Sequence, residues 1–246
     1  MLSFMDRFEL LSECEAFPDK WYRGWARIKY DQNLSRAAEF LGSDVKNMVF
    51  LTNPTTAINA IFNSLTFTAD DTILCYSHTY NAVRHIVDAT AQKWGCKVHY
   101  ADLKLPIQSE DEVVEMFVEP AKSLKVKIAI IDHISSCSAI KFPVRRIIEG
   151  LKALGVLTLV DGAHAPGQIA NLALDQLDAD FYTGTLHKWC YATKGTAILW
   201  VNPKHQSWVR PLVTSHNYLK GYQEEFFKQV NFKHQLNFRS RFVGRS

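Results

Sequence analysis

From Met48 onward, short apolar runs alternate with longer segments of helical periodicity. The runs at 48–51 (MVFL), 72–76 (TILCY), 97–101 (KVHYA), 126–132 (VKIAIID), 156–160 (VLTLV), 179–183 (ADFYT) and 196–201 (TAILWV) predict strands. Several are apolar at almost every position, the pattern of a strand buried on both faces. Segments 55–66, 80–94, 109–122 and 144–154 predict the intervening helices. Regular strand–helix alternation predicts an α/β fold, a mostly parallel sheet covered by helices on both faces. Upstream, 4–16 reads as a short amphipathic helix and 33–41 as a helix ended by Gly42, a good C-terminal cap. The aromatic and arginine-rich stretch 21–30 shows no clear period.

Composition narrows the function classes. At 246 residues and 47% hydrophobic, the chain has enough apolar material for one large domain. A net charge of +3 gives no global reason to bind nucleic acid. Five cysteines, an odd number with no CxxC pair, argue against a disulfide framework or a zinc site and for a reducing compartment. Asp6, Arg7 and Glu9 interrupt the N-terminal apolar residues, so no signal peptide is read there. No stretch approaches the roughly 20 apolar residues that span a bilayer. A soluble, cytoplasmic protein without a membrane partner is the expectation.

Parallel α/β sheets bind ligands just beyond the carboxyl ends of their strands. Those ends carry Asn53-Pro54-Thr55-Thr56, Ser77-His78-Thr79-Tyr80, Asp132-His133-Ile134-Ser135-Ser136, Asp161-Gly162-Ala163-His164 and Thr185-Leu186-His187-Lys188. Lys188, between His187 and Trp189, sits where desolvation and a neighbouring cation would favour the neutral amine that a Schiff base needs. Alone, it reads first as an ordinary lysine in a surface turn. Asp161 follows a buried strand and suits either a helix N-cap or a partner for a pyridinium nitrogen, which keeps a pyridoxal ring an electron sink. Thr55 and Thr56 begin a helix, where they either cap it or face a phosphate, with Thr185 and His187 as donors from the other side. Tyr80 is placed to stack on a flat ring, and Ala163 is small enough to lie against the other face. The spacings of Asp161, His164, His187 and His78 do not match a helix-borne pair of metal ligands, so no metal site is expected.

These segments together carry a resemblance. Asp161-Gly-Ala-His-Ala-Pro-Gly-Gln168, Ala179-Asp-Phe-Tyr-Thr-Gly-Thr-Leu-His-Lys-Trp189 and Lys194-Gly195 resemble the class V aminotransferases, which are enzymes of pyridoxal 5'-phosphate (PLP). The nearest branch is the isopenicillin N epimerase-like group, which also holds cysteine desulfhydrases and sulfoxide lyases. Asn53 to Asn59, His78 to Arg84 and Asp132 to Ser136 fit it as well, so the likeness runs from about Asn33 to about Tyr222. It implies the large domain of a fold-type-I PLP enzyme, with Lys188 as the Schiff-base lysine and Asp161 as the pyridinium partner. It also implies His164 as the donor to the cofactor's phenolic oxygen with Ser136 nearby, Tyr80 as the stacking ring, and Thr55, Thr56, Thr185 and His187 around the phosphate.

The resemblance implies an amino-acid substrate, cysteine-like in this branch, and C–S lyase, epimerase or aminotransferase chemistry in a homodimer. Cys137 stands where this branch often has proline, and Thr185 where relatives have Asn or Ser. Relatives also carry a Gly-Thr-Arg-Asp motif soon after the region of Ser215-His216, and a small domain whose arginine holds the substrate carboxylate. The ending QVNFKHQLNFRSRFVGRS has no such motif. The organisation read from this is an N-terminal segment (1–32), a PLP-binding large domain (33–205) and the start of a truncated C-terminal region (206–246). Its late arginines, Arg239, Arg241 and Arg245, are expected to lie outside any helix or strand. The rival reading is a catalytically incompetent fragment that keeps the PLP-binding fold.

Overall fold

The computed structural model describes residues 4–215, 218 and 238–243. Strands β1 (Met48–Leu51), β2 (Thr72–Tyr76), β3 (Lys97–Ala101), β4 (Val126–Asp132), β5 (Leu157–Gly162), β6 (Phe181–Thr185) and β7 (Ala197–Val201) form one seven-stranded sheet, ordered β1-β7-β6-β5-β4-β2-β3. Pairing is parallel from β3 through β2, β4 and β5 to β6. Strand β7 is antiparallel to both β6 and β1, so every strand except β7 points its carboxyl end at the same edge.

The apolar runs are buried on both faces because helices cover both. Within β4, Ile128 and Ile130 pack with Ile58 and Ile61 of α4 (Pro54–Ser64) and Val83 and Val87 of α5 (Asn81–Trp94). Ala129 and Ile131 alternate to the opposite face. There they meet Phe117 of α6 (Glu110–Ser123), Ile147 and Leu151 of α7 (Val144–Ala153) and Leu34 of α3 (Ala26–Leu41). Helix starts follow their caps. Asn53 Oδ1 accepts from Thr56 N at 2.8 Å, with Pro54 in the first turn of α4, and Ser109 caps α6. Gly42 ends α3 in the left-handed conformation, at φ +66°.

Three expectations change. The stretch 21–30 is helical: α1 (Phe4–Ala16), α2 (Pro18–Lys20) and a π-helical turn (Trp21–Trp25) lead into α3, which starts well before residue 33. Its first turns are held by polar and tertiary contacts that leave no apolar period, namely Arg27 to Asp31 at 2.9 Å and Phe50 N donating to Tyr30 Oη at 3.2 Å. Strands β5 and β6 extend past their apolar stretches, because the pairs Asp161↔Thr183 and Gly162↔Gly184 continue the ladder. The tail contains a helix after all: Phe238–Val243, designated α9 because a short α8 (Leu174–Leu177) precedes it, lies against β1. Phe238 is buried there, Arg241 Nη1 donates to Gln206 O at 2.7 Å, and Arg239 meets Asp31 at 2.5 Å. Arg245 lies outside the described residues. Within the described residues, no helix is long and apolar enough to cross a membrane.

The other end of the sheet is tied by one buried carboxylate. Asp180 accepts from Thr158 N at 2.8 Å and Thr158 Oγ1 at 3.0 Å, and meets His205 and Lys204 at 2.7 Å each. These donors hold its carboxyl far below the usual range despite burial. A group with a depressed native pKa adds stability at neutral pH that is lost in acid. Asp180→Ala should therefore cost about 3 kcal/mol at neutral pH, measured by denaturant unfolding, and the difference from the parent should shrink toward strong acid.

Candidate active site

The carboxyl ends of β1, β2, β4, β5 and β6 open into one cleft of about 180 Å³. A single water needs only about 10–15 Å³, so the cleft has room for a ligand. Its walls include Thr55, Tyr80, Ser136, Asp161, Ala163, His164, Thr185, His187 and Lys188. One residue read from the sequence stays out. The Thr56 hydroxyl bonds Asn53 Oδ1 at 3.0 Å and serves the cap of α4.

Asp161 ends β5 at 7% exposure, and its Oδ1 accepts from Ala163 N at 3.0 Å. The residues after it form a turn rather than a helix, so the helix-cap reading fails. Burial raises its pKa, while the Ala163 N–H and the Lys188 charge pull it back. Glycines set the shape of this turn. A Cβ on Gly162 would lie 2.1 Å from Tyr182 Oη, and a Cβ on Gly167, at φ +89°, would lie 2.5 Å from Trp189 O. The second contact brings the Asp161 turn against the loop carrying Lys188.

Lys188 stands at the open side of the cleft. Protein packed around it lowers its pKa, and the nearby Asp161 charge opposes that shift. Burial supplies the lowering, and not the cation expected from His187, whose Nδ1 is turned to the backbone of Thr196, 3.0 Å from its O and 3.1 Å from its N. Instead, Lys188 Nζ lies 3.1 Å from His164 Nε2, and Trp189 Nε1 lies 3.3 Å from His164 Nδ1. An indole N–H only donates, so Nδ1 accepts and the neutral imidazole carries its proton on Nε2. That proton points at Lys188, which receives it best as a neutral amine. Burial also holds His164 below its ordinary pKa.

The remaining walls suit an anion and a flat ring. Thr185 is fully buried at the end of β6, and its Oγ1 has no hydrogen-bond partner. Such a hydroxyl calls for a ligand atom. With Nδ1 of His187 held against the backbone of Thr196, Nε2 is the ring nitrogen left for a ligand. The first turn of α4 brings Thr55 and the backbone amides of a helix start to the same cleft, a favourable place for phosphate. Tyr80, at the start of α5, is half exposed and lines the cleft. Ser136 is exposed at the rim. Asp132 was noted in the sequence only as part of a strand end. It is 3% exposed, pairs in register with Asp161, and accepts from Thr79 Oγ1 at 2.8 Å. Nothing in the run VKIAIID distinguishes it from a turn residue; its role emerges only from strand pairing.

The aminotransferase class-V family model matches residues 24–235. The chain belongs to this family. Pyridoxal 5'-phosphate is the family's cofactor, and the buried acid, the amine and the unpartnered Thr185 hydroxyl of the cleft fit it. The L-cysteine desulfhydrase-like protein lolT1 of Epichloe uncinata is 28% identical over 181 residues, covering 72% of this chain and 39% of that protein. The isopenicillin N epimerase of Amycolatopsis lactamdurans is 32% identical over 188 residues, covering 74% and 46%. A solved structure of a C-DES variant with glycine covalently linked to its PLP cofactor has 20% identity and a TM-score of 0.67, covering 83% of this chain and 56% of that one. The chain spans about half the length of the relatives it matches.

The packing of the Asp161 turn can be tested without any ligand. Gly162→Ala should destabilise the protein by about 1–3 kcal/mol, the usual cost of overpacking a filled core, because Tyr182 is fully buried and has no free volume to move into. Denaturant midpoints of the two proteins measure it, and Gly162→Ala with Tyr182→Phe should recover part of the loss.

Proposed function

We propose that this chain binds PLP in the strand-end cleft through Lys188 and acts on a sulfur-containing amino acid by C–S lyase, epimerase or aminotransferase chemistry. The observation that carries the reading is that the buried acid and the amine are not paired with each other. Asp161 is buried without an ion-pair partner among the described residues, and Lys188 turns to His164 instead. A cationic ring nitrogen placed against Asp161 would satisfy the acid and leave the amine free to bond the cofactor's carbonyl carbon.

Each wall then has a task. Asp161 holds the ring nitrogen protonated. His164, with its proton on Nε2, donates to an oxygen on the ring edge or to Lys188. Thr55, Thr185 and His187 hold the phosphate, with the α4 N-terminus behind them. Tyr80 and Ala163 bound the two faces of the ring, and Ser136 sits at its edge. Bound there, PLP supplies an electron sink for charge developing at the substrate Cα. Lys188, a neutral amine at that point, is placed to take the Cα proton and to return it. The names of the relatives support a cysteine-like substrate.

A second reading, a cofactor-binding core without turnover of its own, rests on the coverage of about half of each relative. In both readings the segment 33–205 is the PLP-binding unit. Steady-state release of pyruvate and sulfide from cysteine separates the two, because the second reading requires PLP uptake without turnover.

The cofactor assignment is tested at two residues. Lys188→Ala should abolish the pyridoxyl label that borohydride reduction fixes on the PLP-loaded parent, with peptide mapping as the measurement. A label on Lys194 in the parent would refute the assignment. Asp161→Ala should weaken PLP binding by about 1.5–3 kcal/mol, the value of a charge-assisted hydrogen bond, read by titration of cofactor absorbance. Equal affinity in the variant and the parent would reduce Asp161 to a turn residue.

A further inference from the structure

The cleft holds a second buried acid with no part in the scheme above. Asp132 and Asp161 are register partners at the ends of adjacent parallel strands, are 3% and 7% exposed, and line the same cleft. Partners in a parallel ladder put their side chains on the same face of the sheet, so the two carboxyls are neighbours. Among the described residues, neither joins an ion pair. Two buried carboxylates cannot both stay ionised side by side without a cation between them. We propose that Asp132 and Asp161 form one acid pair that carries a single negative charge, with the proton on Asp132, and that Asp132 is thereby a positioning residue that leaves Asp161 as the anion facing the cofactor nitrogen.

The hydrogen bonds decide which acid keeps the proton. Asp161 accepts a fixed backbone N–H from Ala163 at 3.0 Å and feels the positive charge of Lys188. Both favour its ionised form. Among the described residues, Asp132 has one hydrogen-bond partner, the Thr79 hydroxyl at 2.8 Å, which rotates and so serves a protonated carboxyl as readily as an anion. Burial and the Asp161 charge push Asp132 up to about 8. Asp161 on β5 and Cys75 and Tyr76 on β2 are near enough to exchange charge effects with it, and His164, His187 and Lys188 line the same cleft. The thiol and the phenol are both raised, partly by Asp132 itself, so they stay neutral across the range where the pair titrates. With the proton on Asp132, the pocket offers one negative charge to one pyridinium charge, where a dianion would be uncompensated.

The pair exists without cofactor, and only its use rests on the PLP reading, so the test begins with the apoprotein. A carboxyl whose native pKa is raised adds stability that is complete below its unfolded value, near 3.9, and is lost as pH rises toward the native value. Asparagine keeps the shape and has no such loss. The denaturation midpoint of the parent should therefore fall relative to that of Asp132→Asn between about pH 4 and about pH 8, then run parallel above it. In an Asp161→Asn background, removal of the neighbouring charge should move the end of that window to lower pH. A difference between parent and Asp132→Asn that is flat with pH overturns the pair, as does a window that Asp161→Asn leaves in place. A purely structural Asp132 would change the midpoint but not its pH profile. If Asp132→Asn does not fold, the infrared carbonyl band of a protonated carboxyl in the parent at pH 7 decides, and its absence refutes the proposal. PLP uptake, followed by absorbance in the same proteins, tests the cofactor reading separately: a chain that takes up no PLP but keeps the pH window loses that reading and keeps the pair.

Discussion

A carboxylate buried near the end of a central strand, with no ion-pair partner among the described residues, shapes the surroundings of the cleft. Leaving an unpaired charge out of water costs several kcal/mol, so the fold around Asp161 answers it in pieces. Gly162 lets the chain pass within reach of Tyr182, the turn presents the Ala163 N–H, and the Gly167–Trp189 contact brings Lys188 near enough to lend its charge. None of these neutralises the acid outright. The ladder Asp132↔Asp161↔Thr183 places this incompletely compensated group in the middle of the sheet edge, between a second acid and the strand that leads to the lysine.

The central sheet was legible because burial on both faces leaves a trace that local sequence carries by itself. Runs such as TILCY and VKIAIID coincide with β2 and β4 from end to end. The errors fall where pairing or tertiary contact sets the boundary. Strands β5 and β6 run on through Asp161-Gly162 and Gly184-Thr185 because each supplies the other's ladder, and no apolar signal marks those residues. The early turns of α3 depend on Tyr30 reaching Phe50, and α9 depends on Phe238 and Arg241 meeting the sheet and the Gln206 carbonyl.

Site residues divide along the same line. Lys188 and Asp161 stand at strand ends, so residue type and position singled them out, whereas His164 was singled out by the family resemblance. The Thr55-Thr56 pair shows the limit: the two share chemistry and neighbourhood, and only the phase of the helix start sends one to the cleft and the other to the Asn53 cap. Asp132 lies further from view. A single aspartate after an apolar strand is ordinary, and it becomes a site feature only when β4 pairs with β5 in the one register that sets acid beside acid.

Electrostatic coupling also links the two ends of the cleft. In the protein alone, Lys188 is pulled two ways: burial favours the neutral amine, and the Asp161 anion favours the ammonium. The indole of Trp189 tips the balance by fixing the His164 proton on the side that faces the lysine. A cationic ring nitrogen set against Asp161 would cancel the one influence that keeps Lys188 charged, since opposite charges in contact screen each other from a third. Filling the acid's side of the cleft therefore lowers the pKa of the amine and leaves its lone pair free. On this account the second acid has a reason to stay protonated. A dianion at the sheet edge would restore the pull on Lys188 that the ring nitrogen had removed, and the amine would be held as an ammonium at the point where a lone pair is required.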